Sequence, residues 1–113
     1  MTWHKIDGVE NNGQPFVKKV KAGKTTVCLV GYNNEIFAVG YRCPHAGGDL
    51  TWGWCNNGKL VCQVHRYSFD LHTGKGSEGQ GDYIETYPVK TDGADIFVGT
   101  YSFWERLRRD MGY

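Results

Sequence analysis

Long apolar runs are missing from this chain. No stretch reaches eighteen such residues, so no helix is expected to span a membrane. The opening Met1-Thr2-Trp3-His4-Lys5 lacks the apolar segment of a secretory signal. Charge of one sign is not in excess either. Thirteen Lys and Arg stand against twelve Asp and Glu, for a net charge of +1, and the one short basic cluster is C-terminal. That balance gives no footprint for nucleic acid, and none is expected as a partner. Helix-like 3.6-residue periodicity is nearly absent before residue 101, and only three prolines occur.

What is present is glycine, sixteen residues, together with aromatic side chains at 14%. Short strands and tight turns follow, an all-β fold. Trp3 to Ile6 reads as a strand ended by Asp7-Gly8, and Phe16 to Val20 and Thr25 to Val30 read as two more. Three hairpins are expected: at Asn33-Asn34, at Asn56-Asn57-Gly58, and at Thr91-Asp92-Gly93-Ala94 between strands Tyr83–Lys90 and Ile96–Gly99. Pro88 implies an edge or strand-end position. Leu71 to Asp82, with four glycines in the eight residues 74–81, is expected to be a mobile surface loop. His4 and His72 are expected to be exposed. Ser102 and Glu105 match a capping box for a short C-terminal helix, with Phe103 and Leu107 on its apolar side. The length of 113 residues suits one domain with a modest core, small enough for a bound metal cluster to matter to its stability.

The four cysteines divide into two kinds. Cys43-Pro44-His45 is followed, after sixteen residues, by Cys62-Gln63-Val64-His65, so each of two short loops offers one thiolate and one imidazole. Such a Cys2His2 set suits a metal centre. In a zinc finger the two Cys pair locally and the two His follow, whereas here each loop mixes the two types. Mixed pairs are the pattern of a Rieske [2Fe–2S] centre, in which two His replace two Cys on one iron. Cys28 and Cys55 are expected to be passive thiols on strands. Four cysteines in a secreted chain would suggest two disulfides; two ligands and two free thiols fit a cytoplasmic, reducing location.

Beyond the ligand types, Cys-Pro-His, the pair Gly47-Gly48, Gly53-Trp54 before the second loop and Phe69-Asp70-Leu71-His72-Thr73-Gly74 after it resemble the Rieske-type ferredoxins of multicomponent oxygenases. The resemblance implies an antiparallel β-sandwich or small barrel as base domain, with a cluster-binding subdomain of two loops at about 41–72 in a single domain 1–113. It implies that Cys43 and Cys62 hold the inner iron, and His45 and His65 the outer one. The glycines after His45 would let backbone N–H groups approach cluster sulfur, would serve a tight turn, or would do both. The function implied is that of an electron carrier and not an enzyme in itself, passing single electrons from a flavin reductase to a terminal oxygenase. The alternatives are a small Rieske subunit beside the large subunit of a nitrite reductase-like enzyme, and a zinc-binding structural module. A terminal oxygenase is excluded by length, since no room remains for a mononuclear iron domain.

Two departures from the pattern bear on the chemistry. Residues 71–82 hold no proline, where related proteins carry one over the cluster. The high-potential respiratory relatives add a disulfide between the loops and hydroxyls that bond sulfur. Here Gly48, Gln63 and Val64 cannot cross-link, and Phe69 stands where those relatives have tyrosine. Tyr67 replaces their serine, and Ser68 lies one position off. Fewer hydrogen bonds to sulfur imply a potential low in the Rieske range, roughly −150 to −100 mV. A docking face is expected around His45 and His65, rimmed by Trp52, Trp54 and Tyr67.

Overall fold

The computed structural model describes residues 1–44, 47–63, 66–77 and 82–101. The expected C-terminal helix, with Ser102, Phe103, Glu105 and Leu107, lies outside them. Among the described residues the fold is ten strands and one 3-10 turn, and every strand pair is antiparallel. Strands β1 (Thr2–Lys5), β9 (Val89–Asp92) and β10 (Asp95–Thr100) form a sheet in the order β1-β10-β9. Strands β2 (Phe16–Ala22), β3 (Thr25–Tyr32), β4 (Glu35–Val39) and β8 (Thr86–Tyr87) form the central sheet. The third sheet is β5 (Trp54–Asn56), β6 (Lys59–Val61) and β7 (Ser68–Asp70).

Strand β3 explains the layering. Its run Val27-Cys28-Leu29-Val30 is wholly buried, because the central sheet is covered on both faces. Successive side chains alternate sides. Val27 and Leu29 enter one core with Ile6, Val20, Ala22, Ala38, Ile96 and Val98, between the first two sheets. Cys28 and Val30 enter the other, with Val39, Leu50, Leu60, Phe69, Leu71 and Ile84, under the third sheet. Both Cys43 and Cys62 belong to that second core.

The turns are chemical necessities of their sequences. Asn33 and Asn34 take φ of 53° and 63°, and Asn57 and Gly58 take 51° and 77°. Two left-handed residues in succession are the type I′ geometry that matches strand twist. Gly93, at φ 60°, opens the β9–β10 turn.

Three expectations need correction. Tyr83–Lys90 is not one strand: β8 pairs with β4 of the central sheet, whereas β9 pairs with β10 of the first. The switch falls at Pro88, which has no N–H for a ladder, while its carbonyl accepts from Gly99 N at 2.9 Å. His4 is half-buried, with Nε2 2.9 Å from Thr100 Oγ1 and its ring packed against the backbone of Gly23. The described part of the expected mobile loop, 71–77, is tied into the sheet. Asp70 N donates to Lys75 O, Ser77 N to Ser68 O and Ile84 N to Gly74 O. Gly74 is required there by φ 76° and by close packing, since a Cβ would stand 2.2 Å from Ile84 O.

Candidate metal centre

Both expected ligand loops are hairpin tips, and both are closed by the same bond. In the first, Leu50 N donates to Tyr41 O at 2.7 Å, Arg42 bridges Asp49, and Cys43 N donates to Gly48 O at 2.8 Å. In the second, Val61 pairs with Ser68, and Cys62 N donates to Tyr67 O at 2.6 Å. Each cysteine thus opens a six-residue tip whose closing acceptor lies five residues on. In the first tip Gly47, at φ 65°, gives its N–H to Cys43 O at 2.8 Å. That bond is the turn role expected of this glycine. In the second tip Arg66 adopts φ 58°, a left-handed geometry that costs a non-glycine residue about 1 kcal/mol.

The third sheet carries the second tip to the first. After the 3-10 turn Leu50–Trp52, Gly53 passes so close to β6 that a Cβ would lie 2.0 Å from Val61 O. Val61 immediately precedes Cys62. Gly53→Ala is therefore expected to push the second tip away, at a cost of about 2–4 kcal/mol by overpacking against backbone. A fall in melting temperature together with reduced iron content checks this. In the sequence Gly53 stands out only as part of the Gly53-Trp54 motif.

None of the four cysteines is in a disulfide. Cys43 is 1% exposed and Cys62 fully buried, and both belong to the core that contains Leu50, Leu60 and Phe69. Two reduced thiols at the mouths of matching loops, walled by hydrocarbon, fit a cluster whose irons carry the countercharge for thiolates. Cys28 sits in the same core on β3, where burial, followed by the fields of Asp49 and Cys55, pushes its thiol up to about 12. It stays protonated. Cys55, half-buried on β5, is also raised by burial.

His45 and His65 lie outside the described residues. Among the described residues no three His, Cys, Asp or Glu side chains converge on a common point. His72 is not drawn into either tip: its ring packs edge-on against Phe37 at 4.8 Å and Nε2 is 3.4 Å from Glu35. Trp52 and Trp54 are 71% and 44% exposed, and Trp54 pairs with Val61 beside Cys62. Tyr67 instead packs partly buried on the core.

The comparisons agree with this geometry. A family model of the Rieske [2Fe-2S] domain matches residues 2–88. The human apoptosis-inducing factor 3 is 33% identical over 88 residues, covering 77% of this chain but only 14% of that protein. The 3-phenylpropionate/cinnamic acid dioxygenase ferredoxin subunit of Escherichia coli K12 is 34% identical over 74 residues, 64% of this chain and 70% of the relative. Among solved structures, Sphingomonas yanoikuyae B1 ferredoxin superposes with a TM-score of 0.67 at 25% identity, over 79% of this chain and 87% of that one. Two matching loops opened by buried cysteines, an all-antiparallel frame and these likenesses lead to one conclusion: the chain belongs to the Rieske [2Fe-2S] domain family, whose cofactor is a [2Fe-2S] cluster.

Proposed function

We propose that this chain is a one-electron carrier in which Cys43 and Cys62 hold the inner iron and His45 and His65 the outer. The observation that carries this reading is the placement of Cys43 and Cys62, both reduced and buried in one core at the openings of two identically closed tips. When bound, the cluster supplies a reversible one-electron couple. The chain's own residues fix its ligands, exclude water from the thiolate side and set the charge around it. Among the described residues nothing arranges a nucleophile and a general base for bond-making chemistry.

The resemblance to a dioxygenase ferredoxin subunit favours a terminal oxygenase as electron acceptor, and a flavin reductase as donor, in a reducing cytoplasm. Trp52 and Trp54 offer the exposed aromatic surface that such docking uses. Iron and sulfide analysis after anaerobic purification, with an EPR signal on reduction, tests the reading. A colourless protein with stoichiometric zinc overturns it. Co-purification with an oxygenase or with a nitrite reductase large subunit decides the acceptor.

A low potential is supported by the hydroxyls on hand. Phe69 has none, and Ser68, on the opposite side of β7 from Phe69, shares a hydrogen bond with Ser77 Oγ. Phe69→Tyr is expected to raise the midpoint potential by roughly 20–40 mV. A bond to sulfur worth about 1 kcal/mol corresponds to about 40 mV for a one-electron couple, when it forms mainly in the reduced state. Protein-film voltammetry reads this directly. No shift would mean that position 69 does not reach ligand sulfur.

A further inference from the structure

The first tip is tied to the central sheet by a charge pair. Lys19 pairs in register with Cys28, so it points to the face of the central sheet that carries Cys43 and Cys62. Its ammonium is ion-paired with Asp49 Oδ2 and lies 4.9 Å from the centre of the Tyr41 ring. Asp49 immediately follows Gly48, the acceptor for Cys43 N, and its backbone bridges Arg42, the neighbour of Cys43. Its other oxygen accepts from Thr51 N at 3.0 Å and from Thr51 Oγ1, capping the 3-10 turn that leads to Trp52. One carboxylate therefore joins β2, the outgoing arm of the first tip and the turn toward the second.

We propose that Lys19 and Asp49 act as a strut that positions the first cluster loop and balances charge beside the cluster. This rests on the electron-carrier reading. An exposed ion pair contributes little, but here Asp49 is 23% exposed against 44% for Lys19, and it is also anchored by the Arg42 bridge and by Thr51 and Trp52 of the 3-10 turn. Burial pulls its carboxyl upward, yet hydrogen bonds from Lys19 and Thr51 and the charge of Lys19 hold it below the usual carboxylate range. Its field also reaches Cys28, inside the core that holds both ligand cysteines. Arg42, whose Nε donates to Tyr41 Oη at 3.1 Å, brings a further cation to the same ring.

Reduction adds one negative charge to the cluster, and that sets the signs. Asp49→Asn keeps an acceptor for Thr51 but leaves Lys19 unpaired, so the midpoint potential rises. Lys19→Met leaves Asp49 uncompensated, so the potential falls. The double variant returns toward the wild-type value, because the pair is removed as a unit. Hydrogen exchange over 41–50, read by mass spectrometry, is the second readout. It is expected to quicken roughly threefold to tenfold in each single variant, and more in Asp49→Ala, which also loses the cap. Exchange in β10 is expected to stay unchanged. Equal potentials with unchanged exchange would reduce the pair to an ordinary surface salt bridge and overturn the proposal. Shifts of the same sign in both single variants would also overturn it, as they would exclude charge balance. Should the wild-type protein bind no iron, the electron-carrier reading fails, while exchange over 41–50 still decides whether the strut holds the loop.

Discussion

Cys43→Ser and Cys62→Ser are expected to abolish cluster binding, whereas Cys28→Ala is expected to retain a full [2Fe-2S] complement. All three thiols sit in one core and are almost completely buried, so burial alone does not distinguish them. Position does. Cys43 and Cys62 open the two tips, with their amides spent on the closing bonds at Gly48 and Tyr67, so each sulfur is held by a fixed backbone. Cys28 is mid-strand in β3, and burial keeps it a neutral thiol, which is a poor iron ligand. Serine in place of a ligand cysteine exchanges a soft thiolate for a hard hydroxyl of high pKa, a much weaker ligand for cluster iron. Because ligand binding is also folding energy, the two Ser variants should lose melting temperature as well. Removing the Cys28 sulfur costs only the small cavity, about 1–2 kcal/mol. Iron and sulfide analysis with thermal unfolding decides the matter. Loss of iron in Cys28→Ala, or its retention in either Ser variant, would reassign the ligands.

The parts of this architecture that local chemistry dictates are readable in the residues. Asn33-Asn34 and Asn57-Gly58 both demand left-handed backbone, and both became the hairpin turns expected of them. The unbroken apolar run in β3 reads as a strand, and it is one, because both of its faces are covered. The ligand pattern points to the family without any coordinates. What escapes sequence reading is set by distant partners. Pro88 signals a strand end, but not that the chain there changes sheets. Glycine in 71–77 reads as freedom, yet Gly74 is demanded by a backbone that passes too close for any side chain. Lys19 looks like one of several solvated lysines on β2 until the β2–β3 register turns it toward the side of the sheet where Cys28, Cys43 and Cys62 are buried. Asp49 did carry a local signal, an Asp two residues before Thr51 at the start of a turn.

His45→Cys and His65→Cys are each expected to lower the midpoint potential by on the order of 100 mV, the largest redox effect of any single replacement in the chain. Neutral imidazole leaves the cluster less negative than thiolate does. Centres with two His lie at roughly −150 to +300 mV, while plant-type centres with four thiolates lie near −400 mV. From the low end of the Rieske range, complete exchange spans about 250 mV, so one ligand carries about half. The proper control is another histidine. His72 rests on Phe37 and pairs with Glu35, and His4 bonds Thr100, so neither is committed to the tips. His72→Cys and His4→Cys should leave the potential where it stands, since each adds at most an uncharged thiol away from the irons. Voltammetry on the five proteins separates the cases. A variant at 45 or 65 that fails to assemble, beside intact controls at 4 and 72, also marks a ligand. An unchanged midpoint in an assembled His45→Cys or His65→Cys protein would remove that histidine from the cluster.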